Sequence, residues 1–309
     1  MSLNVSALST YLDQERLPLI RKMILQGNSV PHLTTVADVK SSASINLMNT
    51  TLQLQPASTC GWTNSGSTIL SQINASVCPL AYRESLCLEI LENYYLQVQM
   101  NPGSYNEDLP FEQIFVEDKV ANVQLAIDNL IWQGQTGVAG NNGLCTGFIT
   151  LANTTYSGTV VNGNVNSVTA ITSSNIVGIV DAAVNAIPSG ILNQSDLICY
   201  VGHDFFRTYS VALRNANLYH YPSTQDGQLD YQLTIPGTPV RMIAVAGLLG
   251  TNKFFISSKK NMYFFTDLTG DFEQMQMWFS QDFQELRTNM RWKSGVNAAY
   301  WDLVVYFKL

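Results

Sequence analysis

A single long helical stretch constrains the fold of this chain more than any other segment. Between Pro110 and Gly134 the sequence contains no proline and no cluster of helix-breaking residues. Pro110 suits the first turn of a helix, and Asp108 before it is a candidate N-cap whose charge complements the positive helix end. Gly134 and Gly137 predict where the helix ends. A helix of about 25 residues, at about 1.5 Å per residue, is about 37 Å long, so other layers can pack along it.

Apolar residues mark one side of this predicted helix. They recur at spacings of four and three, which places them on one stripe and predicts one buried face. The residues are Val116, Val120, Val123, Ile127 and Leu130.

Charged residues are scarce in this chain of 309 residues. They make up 13% of it, against about 25% in average soluble domains. Together with many Asn, Gln, Ser and Thr residues, this favours a surface covered by neighbouring molecules, and a merely Asn/Ser-rich soluble protein is the alternative. The net charge of −7 and the scattered Lys and Arg residues argue against a nucleic-acid-binding protein, which needs clustered positive charge to neutralise phosphates.

Targeting and cysteine patterns favour a protein made in a reducing cytoplasm. The first residues lack the basic and apolar regions of a signal peptide, and the apolar run from Met242 to Gly250 is too short to span a membrane. The cysteines are odd in number, widely spaced and without a CxxC motif, so all are predicted to be free thiols. They are Cys60, Cys78, Cys87, Cys145 and Cys199.

Two segments near the N-terminus have apolar residues but no evident core of their own. Residues 3–26 have a helical pattern broken near Pro18 and are too short to bury themselves; a helix packed on its own domain is one interpretation. Residues 32–76 are polar and extended, with a turn signal at 63–67, which predicts two extended arms joined at a tip. A disordered linker is the alternative for 32–76, although strand-like alternation resumes from Ile69.

The remainder of the chain alternates helical and strand patterns. Helices are predicted at 83–98, from a cap at 173–174 to 187, and at 203–217, and a buried strand is predicted at 196–202. A surface loop is predicted at 153–167, and a strand-loop-strand passage at 237–250. The C-terminal part predicts strands at 274–279, 287–292 and 301–309, with a turn at 293–295.

No motif of catalysis, cofactor binding or metal binding is present. The sequence has no GxSxG, HExxH or Walker pattern, and Asp267 begins a predicted turn rather than an EF-hand loop. His32, His203 and His220 are too distant in sequence to be assigned to one site, and His203 is predicted to begin a helix. We therefore assign no catalytic, cofactor or metal residue and expect no enzymatic activity, with an enzyme of unfamiliar site as the alternative.

The order of these elements resembles one protein family. The long helix and its ending, NLIWQGQTGVAGNNGLCTGFI, resemble the spine helix and glycine turn of tailed-bacteriophage major capsid proteins with the Hong Kong-type fold. The strand and aromatic-bearing helix from 196 onward, the passage GTPVRMIAVAGLLG and the Arg-bearing strand before an apolar last strand are similar to later parts of that fold. The resemblance covers 110–309 in order, and 30–100 more loosely.

This resemblance implies an α+β fold with an N-terminal arm (1–31), an extended loop (32–76), a peripheral domain (77–152 and 251–309) and an inserted axial domain (153–250). It implies a homo-oligomeric structural protein of the virion that self-assembles through pentamers and hexamers into an icosahedral capsid enclosing the phage genome. Assembly would occur in the host bacterial cytoplasm, away from membranes. The implied partners are further copies of the chain, a scaffolding protein, a portal, candidate decoration proteins and DNA contacted non-specifically.

Two related questions follow from the resemblance. Some family members join the extended loop to a neighbour through a Lys–Asn cross-link; Lys40 is the only lysine in the extended region, and we do not predict the reaction here. An encapsulin-type nanocompartment shell of the same fold is the alternative function. An unrelated β-rich adhesin or binding module is a third candidate from a different class.

Overall fold

The computed structural model describes residues 27–55, 65–87, 110–216, 232–267, 276–283 and 285–309, with the backbone alone described at 110–117, 277 and 279. The chain divides into two compact units, one that includes 79–125 and 269–292 and one that includes 27–78, 126–268 and 293–309. The predictions for 3–26, for residues 63–64 of the turn at 63–67, for 88–98 and for His220 lie outside the described residues.

The described helices and strands alternate along the chain in an α+β order. The helices are α1 (Pro110–Gln133), α2 (Phe148–Asn153), α3 (Ile176–Asn185) and α4 (His203–Asn215). The strands are β1 (Thr34–Val36), β2 (Ser42–Leu52), β3 (Gly66–Ser76), β4 (Cys78–Cys87), β5 (Val161–Asn162), β6 (Leu197–Gly202), β7 (Gln232–Thr234), β8 (Arg241–Val245), β9 (Phe254–Ser258), β10 (Met262–Phe265), β11 (Gln276–Ser280), β12 (Glu285–Ala298) and β13 (Val305–Phe307).

Helix α1 matches the prediction in length and in its end. It has 24 residues, and Gly134 follows directly. Val123, Ile127 and Leu130 of the predicted stripe are buried. The last two turns are also buried away from that stripe, at Asp128, Ile131 and Trp132 among others. The C-terminal end of α1 is therefore enclosed on more sides than an amphipathic helix requires.

A six-stranded sheet forms the main core of the larger unit. Its order is β5-β13-β9-β6-β8-β7. The predicted buried strand is β6, which is parallel to β8, antiparallel to β9 and buried at every residue. Residues of α3 and α4 pack with these strands in one apolar cluster. His203 begins α4 directly after β6, as predicted.

Strand β12 pairs with different partners along its 14 residues. Its C-terminal end pairs antiparallel with β10, which in turn pairs in parallel with β1. In the smaller unit its N-terminal end pairs antiparallel with β11, and β4 also pairs with β12. The turn predicted at 293–295 is wrong, because β12 continues through it and Gly295 pairs with Phe265. A Cβ at Gly295 would lie 2.4 Å from the Ser76 carbonyl oxygen, so the glycine permits a close backbone approach.

The helix predicted at 83–98 is also wrong where it can be compared. Residues 83–87 belong to strand β4, along which even-numbered residues such as Leu80 are the less exposed ones. Glu84 occupies one of these positions because it forms an ion pair with Lys119 at 2.7 Å. A charged residue at an inward position concealed the period-two pattern.

Several smaller boundaries differ from prediction. Helix α3 has Asn175 rather than 173–174 as its N-cap and ends at Asn185. The passage at 237–250 has one strand, β8, followed by a 3-10 turn at Ala246–Leu248. The loop predicted at 153–167 contributes β5, which pairs with β13. The last strand is confined to β13, because Trp301–Leu303 form a 3-10 turn.

Candidate assembly surface

Strands β2 and β3 form a separate two-stranded ribbon. They pair antiparallel along their whole length, from Ser42 opposite Ser76 to Leu52 opposite Gly66. Each strand has 11 residues, which corresponds to about 37 Å at about 3.4 Å per residue. The two extended arms predicted from the sequence are therefore present as paired strands. We call β2 and β3 the ribbon.

The half of the ribbon near the rest of the larger unit is covered on one face. Ile45 packs against a small core of Val39, Ala75, Val77 and Phe265. Further along this face Leu47 is also buried. The odd-numbered apolar residues Ile45 and Leu47 of β2 therefore face the rest of the larger unit. We call this end of the ribbon the foot (residues 39–47 and 71–78).

The distal half of the ribbon exposes apolar side chains on both faces. Met48 and Leu70 lie opposite each other on one face, 64% and 77% exposed, and Leu52 follows on that face. Ile69 is exposed on the other face, and Leu54 beyond the pairing is 88% exposed. This change of face explains why the apolar residues of 45–54 do not keep one period-two phase.

Polar side chains hold the ribbon in register. Between the strands, Ser44 donates to Asn74 at 2.8 Å and the Gln72 amide donates to Asn46 at 2.8 Å. From the larger unit, the Tyr300 hydroxyl donates to the Met48 carbonyl oxygen at 3.0 Å and accepts from the Met48 N–H at 3.1 Å. Since Tyr300 holds the backbone and not the side chain of Met48, the thioether stays outside the contact.

The segment before the ribbon is fixed by polar groups. The Asn28 side chain donates to the Ala244 carbonyl oxygen at 2.8 Å and accepts from the Ala246 N–H at 3.3 Å. Farther on, the Tyr200 hydroxyl donates to the His32 carbonyl oxygen at 2.6 Å, and Lys259 Nζ donates to the Pro31 carbonyl oxygen at 2.8 Å. We call residues 28–32 the clasp, because these hydrogen bonds attach this segment to the core of the larger unit.

A buried carboxyl group lies at the centre of the clasp. Asp128 Oδ1 accepts from the Ser29 N–H at 2.8 Å, and Oδ2 accepts from the Gly247 N–H at 2.7 Å. The Ser29 hydroxyl oxygen also accepts from the Trp132 indole at 2.7 Å. Burial raises the pKa of Asp128, and hydrogen bonds from Ser29 and Gly247 partly oppose that shift. Burial lowers the pKa of His203, and the charges of Asp128 and Asp204 oppose that shift.

Solved structures from phages and from a GTA particle have a similar fold. A structure from Gordonia phage Cozz aligns with a TM-score of 0.64 at 12% identity, covering 100% of this chain and 95% of that chain. The capsid of Myoviridae phage XM1 aligns at 0.58 and 12% identity, covering 96% and 97%. The capsid of an empty GTA particle aligns at 0.57 and 11% identity, covering 100% and 99%. No protein-family model and no curated protein matches the sequence. The chain has a phage capsid fold.

One cysteine pair in this capsid fold contradicts the prediction of five free thiols. Cys78 and Cys145 form a disulfide, with Cα atoms 5.9 Å apart. Cys87 is free and exposed, and Cys199 is free and buried within β6, where burial raises the pKa of its thiol. Cys60 lies outside the described residues. Nothing in the spacing of 67 residues could have indicated the pair, because the fold alone brings the two segments together.

The described part of the capsid fold contains no cluster of three or more His, Cys, Asp or Glu residues that could hold a metal ion. His32 lies in the clasp and His203 begins α4, so the two are placed by separate backbone segments. None of the described helices is both long and apolar enough to cross a membrane. The group that sequence reasoning missed is the pairing of Asp128 with the clasp; its only signal was a carboxylate next to the apolar stripe of α1.

Proposed function

We propose that this chain is a major capsid protein, which assembles through hexamers and pentamers into the icosahedral shell of a tailed-phage head. The ribbon is the observation that carries the proposal. Its distal half exposes Met48, Leu52, Ile69 and Leu70, and the unit that covers its foot leaves these residues in solvent. An isolated two-stranded ribbon is marginally stable in water, so a neighbouring copy is the surface that would complete its burial.

The proposed domains follow the family to which the sequence is similar. Helix α1 is the spine helix, and residues 1–31 and 32–76 are the N-terminal arm and the extended loop. Residues 153–250 are the axial domain, which contains β5, α3, β6, α4, β7 and β8. Residues 77–152 and 251–309 are the peripheral domain, whose strands β9 and β13 complete the same six-stranded sheet. The sharing of one sheet supports an axial domain inserted into the chain rather than appended to it.

Contacts made by a ribbon on one copy and a different surface on the next are heterologous. Such contacts close into rings when the rotation between copies allows it. Rings of five and six subunits then form a curved shell around the genome. The proposed partners are other copies of the chain, a scaffolding protein, a portal and decoration proteins, with packaged DNA contacted without sequence preference, in a virion assembled in the host cytoplasm.

The double variant Met48→Ser/Leu70→Ser tests the proposal. Burying a large apolar side chain contributes about 1.5–3 kcal/mol, and a loss of about 1.4 kcal/mol weakens a contact about tenfold. We therefore expect wild-type chains, with scaffold if needed, to form hollow particles in negative-stain images. The double variant loses two such side chains, about 3–6 kcal/mol, which weakens the contact by about a hundredfold or more. It should form few or no particles, while its unassembled subunit keeps the wild-type circular dichroism spectrum and melting temperature.

Thr68→Ser is the matched control, because Thr68 lies on the same ribbon face but loses no large apolar surface. It should assemble as the wild type does. Wild-type chains that stay monomeric at high concentration under every salt and scaffold condition would refute the proposal. Equal particle yields from the wild type and the double variant would refute the role of the ribbon. Particles from the native source that protect enzymes rather than DNA would favour the encapsulin-type alternative.

A further inference from the structure

Cys78 and Cys145 lie where the ribbon joins the end of helix α1. Cys78 follows β3 and begins β4, and Cys145 lies in the turn between α1 and α2. Their Cα atoms are 5.9 Å apart, within the range of about 4.4–6.8 Å that a disulfide requires. The fold brings these two cysteines together across 67 residues of sequence.

Backbone contacts fix both cysteines independently of any bond between them. The Val77 N–H, next to Cys78, donates to the Ser41 carbonyl oxygen at 3.0 Å. The turn that carries Cys145 is closed by the Gly147 N–H, which donates to the Gly134 carbonyl oxygen at 2.8 Å. The reduced pair would therefore stay close enough to be oxidised and re-reduced without rearrangement of the fold.

The two cysteines differ in their access to solvent. Cys145 is 2% exposed, whereas Cys78 is half-buried at the edge of the foot of the ribbon. Small solutes thus reach the pair from the side of Cys78. Of the other described cysteines, Cys199 is enclosed in the sheet and Cys87 is exposed far along β4, so neither combines access with a nearby partner.

We propose that the Cys78–Cys145 pair is a redox latch that is open as two thiols inside the host cell and closes as a disulfide after the particle is released. This inference rests on the proposed function, because a shell that leaves its host passes from a reducing to an oxidising medium. The oxidant is dissolved dioxygen. The two thiols lose two protons and two electrons, one S–S bond forms, and dioxygen takes up both protons and both electrons to become hydrogen peroxide.

The closed latch attaches the foot of the ribbon covalently to the end of α1. It closes a loop of 67 residues, which restricts the unfolded chain and opposes local opening at the foot. We expect the melting temperature of oxidised particles to exceed that of reduced particles by about 10 °C. Ribbons that hold neighbouring copies together would thus be strengthened only after assembly is complete.

Quenching thiols at two stages tests the latch. One sample is lysed directly in denaturant with N-ethylmaleimide, so that the buried Cys145 can also react, and a second is purified in aerated buffer before the same denaturing alkylation. Both are mapped by mass spectrometry of non-reduced peptides. Cys78 and Cys145 should carry maleimide in the first sample and be linked in the second. Dithiothreitol should lower the melting temperature of aerated particles, and renewed aeration should restore it.

Cys87→Ser is the matched control and should keep the linked peptide and the reductant-sensitive melting temperature, whereas Cys78→Ser should lose both. If Cys78→Ser fails to fold, the melting temperatures of wild-type particles after reduction and after renewed aeration still test the latch. A linked peptide already present in the quenched lysate, free thiols after aeration, or a melting temperature unaffected by reductant would overturn the latch. Negative-stain images of the reduced samples separate these results from failure of the proposed function, which would appear as an absence of particles.

Discussion

Replacement of Asp128 by asparagine tests how strongly the clasp is attached to the core. The two carboxyl oxygens accept from separate backbone N–H groups, those of Ser29 and Gly247. An asparagine side chain has almost the same shape but only one acceptor oxygen, and its NH₂ group would face the other N–H. Asp128→Asn therefore removes one buried acceptor with little change in packing.

The expected cost follows from this geometry. Asp128 is 2% exposed, so water cannot replace the lost acceptor, and a buried N–H without a partner costs about 1–3 kcal/mol. Removing a buried ionisable group recovers part of this cost. We expect Asp128→Asn to lower the free energy of unfolding by about 2 kcal/mol, and Asp128→Ala, which removes both acceptors, by about 3–5 kcal/mol.

The pH dependence has a definite sign. Burial raises the pKa of Asp128, so the folded state binds the proton more tightly than the unfolded state does. The stability contributed by this proton is fully present below the unfolded pKa of about 3.9 and is lost as the pH rises through the folded pKa. The asparagine variant lacks this titration, and its deficit relative to wild type should therefore shrink as the pH rises over that range.

Urea unfolding of unassembled subunits, followed by tryptophan fluorescence, measures both effects. Asp181→Asn is the matched control, because Asp181 is an exposed aspartate in helix α3, and it should change stability by no more than about 0.5 kcal/mol. Equal stabilities of Asp128→Asn and Asp181→Asn would refute the argument that the two N–H bonds hold the clasp. A deficit that grows with pH would refute the direction of the pKa shift.

Two further substitutions test local contacts. Gly295→Ala should destabilise the subunit by about 1–3 kcal/mol through overpacking, because the added Cβ would lie 2.4 Å from the Ser76 carbonyl oxygen. Gly158→Ala, whose Cβ would meet no atom within 4 Å, should have little effect on stability. Equal urea midpoints of the two variants would contradict the close approach of Gly295 to Ser76. Ser29→Ala should cost about 1–3 kcal/mol because the buried Trp132 indole loses its acceptor; an equal cost in a Trp132→Phe background would show that this bond is not responsible.

The local sequence pattern was sufficient to predict those elements whose environment is uniform along their length. Strand β6 is buried on both faces, so its sequence is apolar throughout, and Gly202 and His203 mark the change from strand to helix. Helix α1 was recognisable because its interior contains no breaker and Gly134 ends it. In both cases the residues that define the element are adjacent in sequence.

The sequence-based prediction was wrong where the structure around a residue depends on a partner distant in sequence. Gly295 was interpreted as part of a turn. The position instead requires a glycine because the Ser76 carbonyl oxygen, on another strand, leaves no room for a Cβ. Leu86 was assigned to a helix because Glu84, which pairs with Lys119, concealed the alternation of β4. The disulfide of Cys78 depends on the position of a turn 67 residues away. A single sequence carries no record of these long-range contacts.

The two halves of the ribbon are held by different kinds of contact, and this difference separates folding from assembly. At the foot, the contacts act on the backbone or on buried atoms: Gly295 admits the Ser76 carbonyl, and Cys145 bonds to Cys78. In the distal half, Tyr300 fixes only the backbone of Met48, and the apolar side chains remain exposed. Changes at the foot should therefore lower the stability of the isolated subunit. Changes in the distal half should leave that stability intact and act only where one copy meets another, because those side chains are exposed and none of the described residues covers them.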